Sequence, residues 1–340
     1  LIARADNTGL GTQTWELYRH IKPYKTLVID YATICGWPHN KQVHPERYPG
    51  ATFTQGNPTP AEYAEWLRDL DVVFTCETAY GSYLYTLARQ LNVRTVLQPN
   101  YEMLELIRHP HPHGPDLFAA PTTWHYDDLP EPKTLLPVPI ALDRFVRPVG
   151  KSVATRFLHV VGKPAVHDRN GTETLLAALQ YVKSLISVTI KTQDPNLAQV
   201  RYPIPGNVDL RIVNDSPDDY WDNYPGYDVL VMPRRYGGLC LPAQEAIGAG
   251  MPVIMPDVSP NEWLPAEWLV NCRPWDSFWA HNEIRIYDTD LFALAALIDK
   301  FATDQAFYEA AKARAADLGK EMSWDNLLPV YEQCFTQLVS

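Results

Sequence analysis

The chain has 340 residues, with 40 acidic against 29 basic side chains, a formal charge of −11 and 46% hydrophobic residues. That length can bury a large core and favours two domains over one, and the composition is that of a globular enzyme, not a disordered chain. The acidic balance argues against a protein that coats nucleic acid non-specifically, and no apolar run approaches the roughly 18 to 20 residues needed to span a bilayer.

In chain order, a short apolar strand over Leu1–Arg4, too short for a signal peptide, runs into a glycine-bearing loop and a helix over Gly11–His20. Strands follow over Thr26–Asp30, Val72–Thr75, Thr95–Gln98 and Leu117–Pro121, with helices near Ala61–Leu70, Gly81–Leu91 and Glu102–Arg108. Strands separated by single helices imply a parallel, doubly wound sheet. Asp6, Glu77 and Glu102 each follow one of these strands, which makes them candidates for a general base; each could equally be a helix cap or a loop carboxylate.

The charge is unevenly spread, −3 over residues 1–150 and −8 over the rest, and seven of the ten histidines lie in the first part. His109-Pro-His111-Pro-His113 reads as a polar surface loop held extended by proline, not as a metal-ligand set. Five widely spaced cysteines without a C-x-x-C pair argue against a disulfide framework or a zinc site. The adjacent pairs Asp127-Asp128 and Asp218-Asp219 read as turn or cap residues, so no metal is expected.

A proline-rich stretch from Leu129 to Ile140, continuing to Pro148, interrupts the alternation and divides a domain over residues 1–148 from one beginning at 149. The pattern then restarts with strands over Arg156–Val161, Ser187–Lys191, Val208–Val213, Val229–Met232 and Val253–Met255, and helices over Thr172–Val182 and Pro242–Ala249. The last segments, Asp290–Ala302, Gln305–Leu318 and Trp324–Leu338, read as helices, and there is no internal repeat. The expected architecture is α/β, two Rossmann-like domains facing a cleft.

Three loops of the second half are expected at the carboxyl ends of its strands, where such sheets bind ligands. Gly162–Gly171 carries Lys163 and Arg169, two cations beside a helix start that suit a diphosphate. Asn214–Asp219 is the second. The third runs from Met232 to Pro242 and brings backbone N–H groups and a helix N-terminus to a phosphate or ribose, with Glu245 about one turn further on.

These residues resemble the GT-B glycosyltransferases of the family-4 type. Asp228–Pro233 and Leu241–Ile254 follow the pattern D-V-x-V-x-P-S-x-x-E-G-F-G-L-x-x-x-E-A-x-A-x-G-x-P-V-I. Gly162-Lys163 stands at the family's phosphate-binding basic residue, and Arg169 or Asn170 near the second. Glu245 takes the place of the glutamate that holds the nucleotide ribose. The other glutamate of that pair, which lies near the donor sugar, falls on Gly237, with Arg234-Arg235 before it, so retention and inversion both stay open. Ala5–Thr14 resembles the glycine-rich loop of the first domain, Val138–Phe145 the inter-domain segment, and Ser323–Asn326 the start of a closing helix over 323–340 that crosses back to the first domain. The opening residues also resemble phage-encoded glycosyltransferases.

The resemblance implies a metal-independent, hexosyltransferase-like enzyme that uses a nucleotide diphosphate sugar, UDP foremost, with no further cofactor. Its donor site would comprise Gly9, Gly11, Lys163, Arg169, Asn170, Arg235, Gly237, Gly238, Leu239 and Glu245. The acceptor would be a hydroxymethylated pyrimidine in phage-type DNA, for which Trp37, Tyr80 and Trp124 read as aromatics able to receive a flipped base; core packing is the competing reading for each. A protein or surface glycan is the alternative acceptor, and a catalytically lapsed nucleotide-sugar-binding protein or a sugar-nucleotide epimerase the alternative activity. The expected location is the cytoplasm, that of the host if the chain is phage-encoded.

Overall fold

A computed structural model of the chain describes residues 1–30, 43–81, 83–104, 114–146, 152–162, 166–193, 202–214, 217 and 219–340. It divides into two compact units. Unit 1 comprises Leu1–Pro139, Ala280–Asn282 and Trp324–Ser340, and unit 2 comprises Ile140–Trp279 and Glu283–Ser323.

In unit 1, β1 (Ile2–Ala3), β2 (Leu27–Asp30) and β3 (Thr52–Gln55) form one parallel sheet in that order, and β4 (Val72–Glu77), β5 (Arg94–Pro99), β6 (Leu117–Ala120) and β7 (Lys133–Leu135) form another. β1 runs beside β4, and Ile2, Leu27, Ile29 and Val73 share one core with Tyr63 and Leu67. The helices are α1 (Gly9–Ile21), α2 (Pro60–Leu67) and α3 (Leu84–Gln90). Thr8 caps α1 by accepting from the Gly11 N–H, and Thr59 with Glu62 forms a capping box on α2 ahead of Pro60 at its first position.

Two edge strands were not expected from the sequence. β3 is mostly exposed and β7 partly so, so neither carries the apolar pattern that marks a buried strand. The helix expected over Glu102–Arg108 is, in its described part, a single 3-10 turn over Tyr101–Met103; residues 105–108 lie outside the described residues.

In unit 2, β8 (Arg156–Gly162), β9 (Ile186–Thr192), β10 (Val208–Asn214), β11 (Val229–Val231), β12 (Val253–Pro256) and β13 (Leu269–Val270) form a parallel sheet. Its order, β10-β9-β8-β11-β12-β13, is the 3-2-1-4-5-6 of a dinucleotide-binding sheet, with the switch point between β8 and β11. α4 (Thr172–Leu179), α5 (Leu241–Gly248), α6 (Leu291–Thr303) and α7 (Gln305–Glu321) complete it, and Leu158, Ile190, Leu230, Ile247 and Ile298 lie in one core. Asp228, 4% exposed, ties the sheet's first turn: its carboxylate accepts from the backbone N–H groups of Thr155 and Arg156, each at 2.9 Å, and pairs with the Arg156 guanidinium at 2.8 Å.

Unit 2 also holds an antiparallel hairpin, β14 (Cys272–Trp279) and β15 (Glu283–Thr289), irregular between Pro274 and Asp276. It too escaped the sequence reading, because β14 is exposed along most of its length and shows no alternation. The last helix, α8 (Trp324–Val339), counts with unit 1, where Tyr331 is fully buried and Trp324 stacks on His20 at 4.5 Å. Among the described residues, no helix is long and apolar enough to cross a membrane.

Candidate functional site

The loops that follow β8 and β11 meet at the switch point of unit 2, and their packing explains several local choices. Gly171 opens α4 at φ +72°, and a Cβ there would fall on the carbonyl oxygen of Pro233. The Arg235 N–H donates to the Arg169 carbonyl at 2.8 Å, and the Asn170 amide donates to the Val161 carbonyl at 2.6 Å. His159 lies fully buried beneath, and burial pushes its imidazole down to about 4. The ring is therefore neutral: Nδ1 donates to the Val231 carbonyl at 2.7 Å, which leaves Nε2 to accept from the Thr172 hydroxyl at 2.9 Å. This fastens the start of α4 to both strands.

The N-terminus of α4, expected to face a diphosphate, is already capped by its own chain. Asp168, at φ +52°, accepts from the N–H groups of Thr172 at 2.9 Å and Glu173 at 3.0 Å. Burial pushes this carboxyl up to about 6 despite those bonds. Lys163, the other cation expected in this loop, lies outside the described residues.

The loop after β11 turns on Gly237, whose φ is +118°. A Cβ at this position would collide with Nη2 of Arg234 and stand 2.8 Å from Nη2 of Arg169. Two guanidinium groups thus converge under one glycine. Arg234 is 7% exposed and donates through Nη1 to the carbonyls of Leu239 at 2.9 Å and Gly238 at 3.3 Å; Arg169 lies over the Tyr236 ring at 5.5 Å. α5 begins just beyond, at Leu241, with no side-chain cap; Pro242 has no N–H and those of Ala243 and Gln244 donate to the Cys240 carbonyl at 3.0 and 3.2 Å, so what this helix start offers an anion is chiefly its dipole.

Arg235, the arginine assigned to the donor from the sequence, is committed elsewhere. Its guanidinium pairs with Asp288 at 2.7 Å, donates to the carbonyls of His167 at 3.0 Å and Tyr287 at 3.3 Å, and lies over Trp275 at 4.3 Å. Arg234, not Arg235, is the member of the pair that turns under Gly237. No sequence signal separates the two members of an Arg-Arg pair; only the turn decides which is buried.

Glu245 sits one turn into α5, partly buried, and accepts a short hydrogen bond from the hydroxyl of the buried Tyr224. Burial pushes Glu245 up to about 7, opposed by that bond. Burial and the facing carboxylate hold the Tyr224 hydroxyl well above its usual range, so it remains the donor. Phe145 stands edge-on to Tyr224 at 5.9 Å, and Arg144 lies over Trp221 at 4.5 Å.

In unit 1 the three candidate carboxylates are linked through Glu77, which feels both Asp6 and Glu102, while Arg4 pairs with Asp6 and acts on Glu77. Arg4 Nη2 pairs with Asp6 at 2.5 Å, both buried, and Asp6 also accepts from the Thr8 N–H at 3.1 Å and from the Thr8 hydroxyl. Gly11 is required beside it, because a Cβ there would fall on the Asp6 carbonyl oxygen; Gly9 opens the same helix. Glu77 ends β4 at φ +68°, a strained value for a residue with a side chain. Burial raises its carboxyl, helped by Glu102 and Asp6 and opposed by Arg4 and a hydrogen bond from Asn100. Glu102, 9% exposed, accepts from the same Asn100 amide at 3.3 Å.

Of the aromatics expected to be exposed, Tyr80 is 2% exposed and belongs to the core, where its carbonyl accepts from Tyr63. Trp124 stands edge-on to Tyr101 at 5.7 Å and to His125 at 4.9 Å, while His125 stacks flat on Tyr101 at 3.9 Å. Trp37 and His109, His111 and His113 lie outside the described residues. Among the described residues, no three histidine, cysteine or acidic side chains group as they would to hold a metal.

No family model matches the sequence, and no curated protein matches it. Solved structures match the fold over nearly the full length. A glycosyltransferase from Rickettsia africae shares 13% identity over 100% of this chain and 97% of its own, with a TM-score of 0.66. Sucrose-phosphate synthase from Thermosynechococcus elongatus shares 16% over 99% and 98%, with a TM-score of 0.67. HepE from Anabaena, in complex with UDP, shares 11% over 99% and 99%, with a TM-score of 0.68. The chain has the GT-B fold of two Rossmann-like units.

Proposed function

We propose that the protein transfers a sugar from a nucleotide diphosphate sugar, UDP-linked, to an acceptor hydroxyl, without a metal ion. The observation that carries this reading is the convergence of Arg169 and Arg234 at Gly237, near the positive end of the α5 dipole, with Glu245 one turn into that helix. Two guanidinium groups and a helix start suit a diphosphate, and a carboxylate that ionises near neutrality suits the paired hydroxyls of a ribose. HepE, similar in fold throughout, was solved holding UDP.

In the proposed reaction the acceptor oxygen attacks the anomeric carbon while the bond from that carbon to the diphosphate oxygen breaks. The electron pair leaves with the diphosphate, whose growing charge Arg169 and Arg234 stabilise, joined by Lys163. A base must take the acceptor proton, and attack with such a base inverts configuration; our candidate is Glu77 of unit 1, whose affinity for a proton burial raises. Asp6 and Glu102 both add to the proton affinity of Glu77, against the opposing pull of Arg4 and Asn100.

For the acceptor we favour a hydroxymethylated pyrimidine in DNA, with Trp124, His125 and Tyr101 as the surface that receives the base. Radiolabel transfer from UDP-sugars into hydroxymethylated DNA tests this; labelling that declines steeply with salt supports it, and no labelling with any donor rejects it. A donor screen by thermal shift tests the nucleotide: a ligand at one hundred times its Kd stabilises the fold by about 2.7 kcal/mol. Binding of UDP without turnover of any UDP-sugar would leave a nucleotide-sugar-binding protein instead.

A further inference from the structure

A cavity of about 710 Å³ lies within unit 2, walled by α4, the Asn271–Arg273 segment, the β14–β15 hairpin and the start of α6. Its size is that of an ordinary small-molecule site. Two large aromatics are left open in its wall, Trp275 at 53% exposure and Phe292 at 65%. Arg235 and Asp288 pair with each other, Asp168 caps α4, and Asp290 caps α6, so those four charges are already used. The side chains of Glu173, Asn271 and Arg273 also line the cavity, and make no hydrogen bond or ion pair among the described residues.

We propose that this cavity binds a neutral saccharide, separately from the nucleotide. A pyranose presents flat C–H faces and a rim of hydroxyls that both donate and accept. Arg235 covers one face of Trp275 at 4.3 Å and Tyr181 packs against Phe292 at 4.4 Å, so it is the remaining exposed part of each ring that matches the first. A carboxylate, a guanidinium and a primary amide match the second, since together they supply both donors and acceptors. Glu173 and Arg273 cancel in charge, which disfavours an anionic ligand such as a second nucleotide. The site differs from the nucleotide site because Arg235, whose guanidinium lies over Trp275, turns to the hairpin, whereas Arg169 and Arg234 turn to Gly237. The inference rests on the glycosyltransferase reading only for its purpose, a hold on the sugar of the glycosylated product.

The test is calorimetric titration of the full chain with maltotriose, cellotriose, chitotriose and lactose, each with and without saturating UDP. We expect at least one to bind saturably, with an affinity unchanged by UDP. Trp275→Ala and Glu173→Gln are each expected to weaken that binding about tenfold or more while UDP binding persists, which also shows that the variants are folded. Failure of all four sugars to bind at millimolar concentration, displacement by UDP, or undiminished binding by both variants would overturn the proposal. UDP binding without sugar binding rejects this site and leaves the proposed function standing; sugar binding without UDP binding does the reverse.

Discussion

The guanidinium of Arg234 occupies the space that a side chain at Gly237 would need, and the two residues define each other: the buried arginine requires a glycine above it. Where the sequence pattern that this chain resembles has a glutamate, the chain has Gly237 over an inward-facing arginine. The substitution Gly237→Ala is therefore expected to destabilise the fold by about 1–3 kcal/mol through the φ of +118° alone. Gly237→Glu should weaken UDP binding instead of restoring a sugar contact. Urea denaturation and UDP titration check both, and an unchanged midpoint would contradict the account.

The neighbouring arginines should separate cleanly. Arg234→Ala is expected to weaken UDP binding by about tenfold or more, the scale of a lost charge-assisted contact to a phosphate. Arg235→Ala removes the pair with Asp288 and the bonds to His167 and Tyr287, so it should loosen the hairpin and lower Tm with a smaller change in UDP affinity. Calorimetry and thermal melts on both variants decide this; equal losses of UDP affinity would count against the assignment.

Glu245 gives a pH signature with a definite sign. Its folded value of about 7 lies above that of the unfolded chain, so the folded state binds the proton more tightly. Its contribution to stability is fully present below the unfolded value and is lost as pH rises through about 7. Ribose binding should run the other way, since the ionised carboxylate is the better acceptor. UDP affinity is expected to rise between about pH 6 and about pH 8, and this dependence should flatten in Glu245→Gln. A pH-independent wild-type affinity would refute the ribose role.

Asp228 supplies a prediction independent of ligand. Asp228→Ala leaves the part-buried N–H groups of Thr155 and Arg156 without their acceptor, and is expected to destabilise the fold by about 1–3 kcal/mol. A melting temperature within error of wild type would show that water replaces the carboxylate.

Much of this site could be read from the sequence because its parts are local. The apolar runs over Val229–Val231 and Val253–Pro256, the Pro242 that starts α5 and the Glu245 that follows belong to one short βαβ unit, and the six-stranded order of unit 2 places that unit at the switch point. What could not be read depends on contacts between distant positions. Arg234 is inward because of the turn at Gly237, α4 is capped by Asp168 through two non-glycine residues at positive φ, and Glu245 meets Tyr224 from another loop. The hairpin was hidden because exposed strands carry no apolar alternation, and Tyr80 looked like a surface aromatic until the core of unit 1 enclosed it.

The central claim, transfer from a nucleotide sugar with Glu77 as base, is tested most directly by UDP release from UDP-hexoses in the presence of acceptor. Wild-type protein should release UDP, and Glu77→Gln should do so about 10² to 10⁴ times more slowly while binding UDP as tightly as before. Undiminished release by Glu77→Gln, or no release by wild-type protein that binds UDP, would contradict the account.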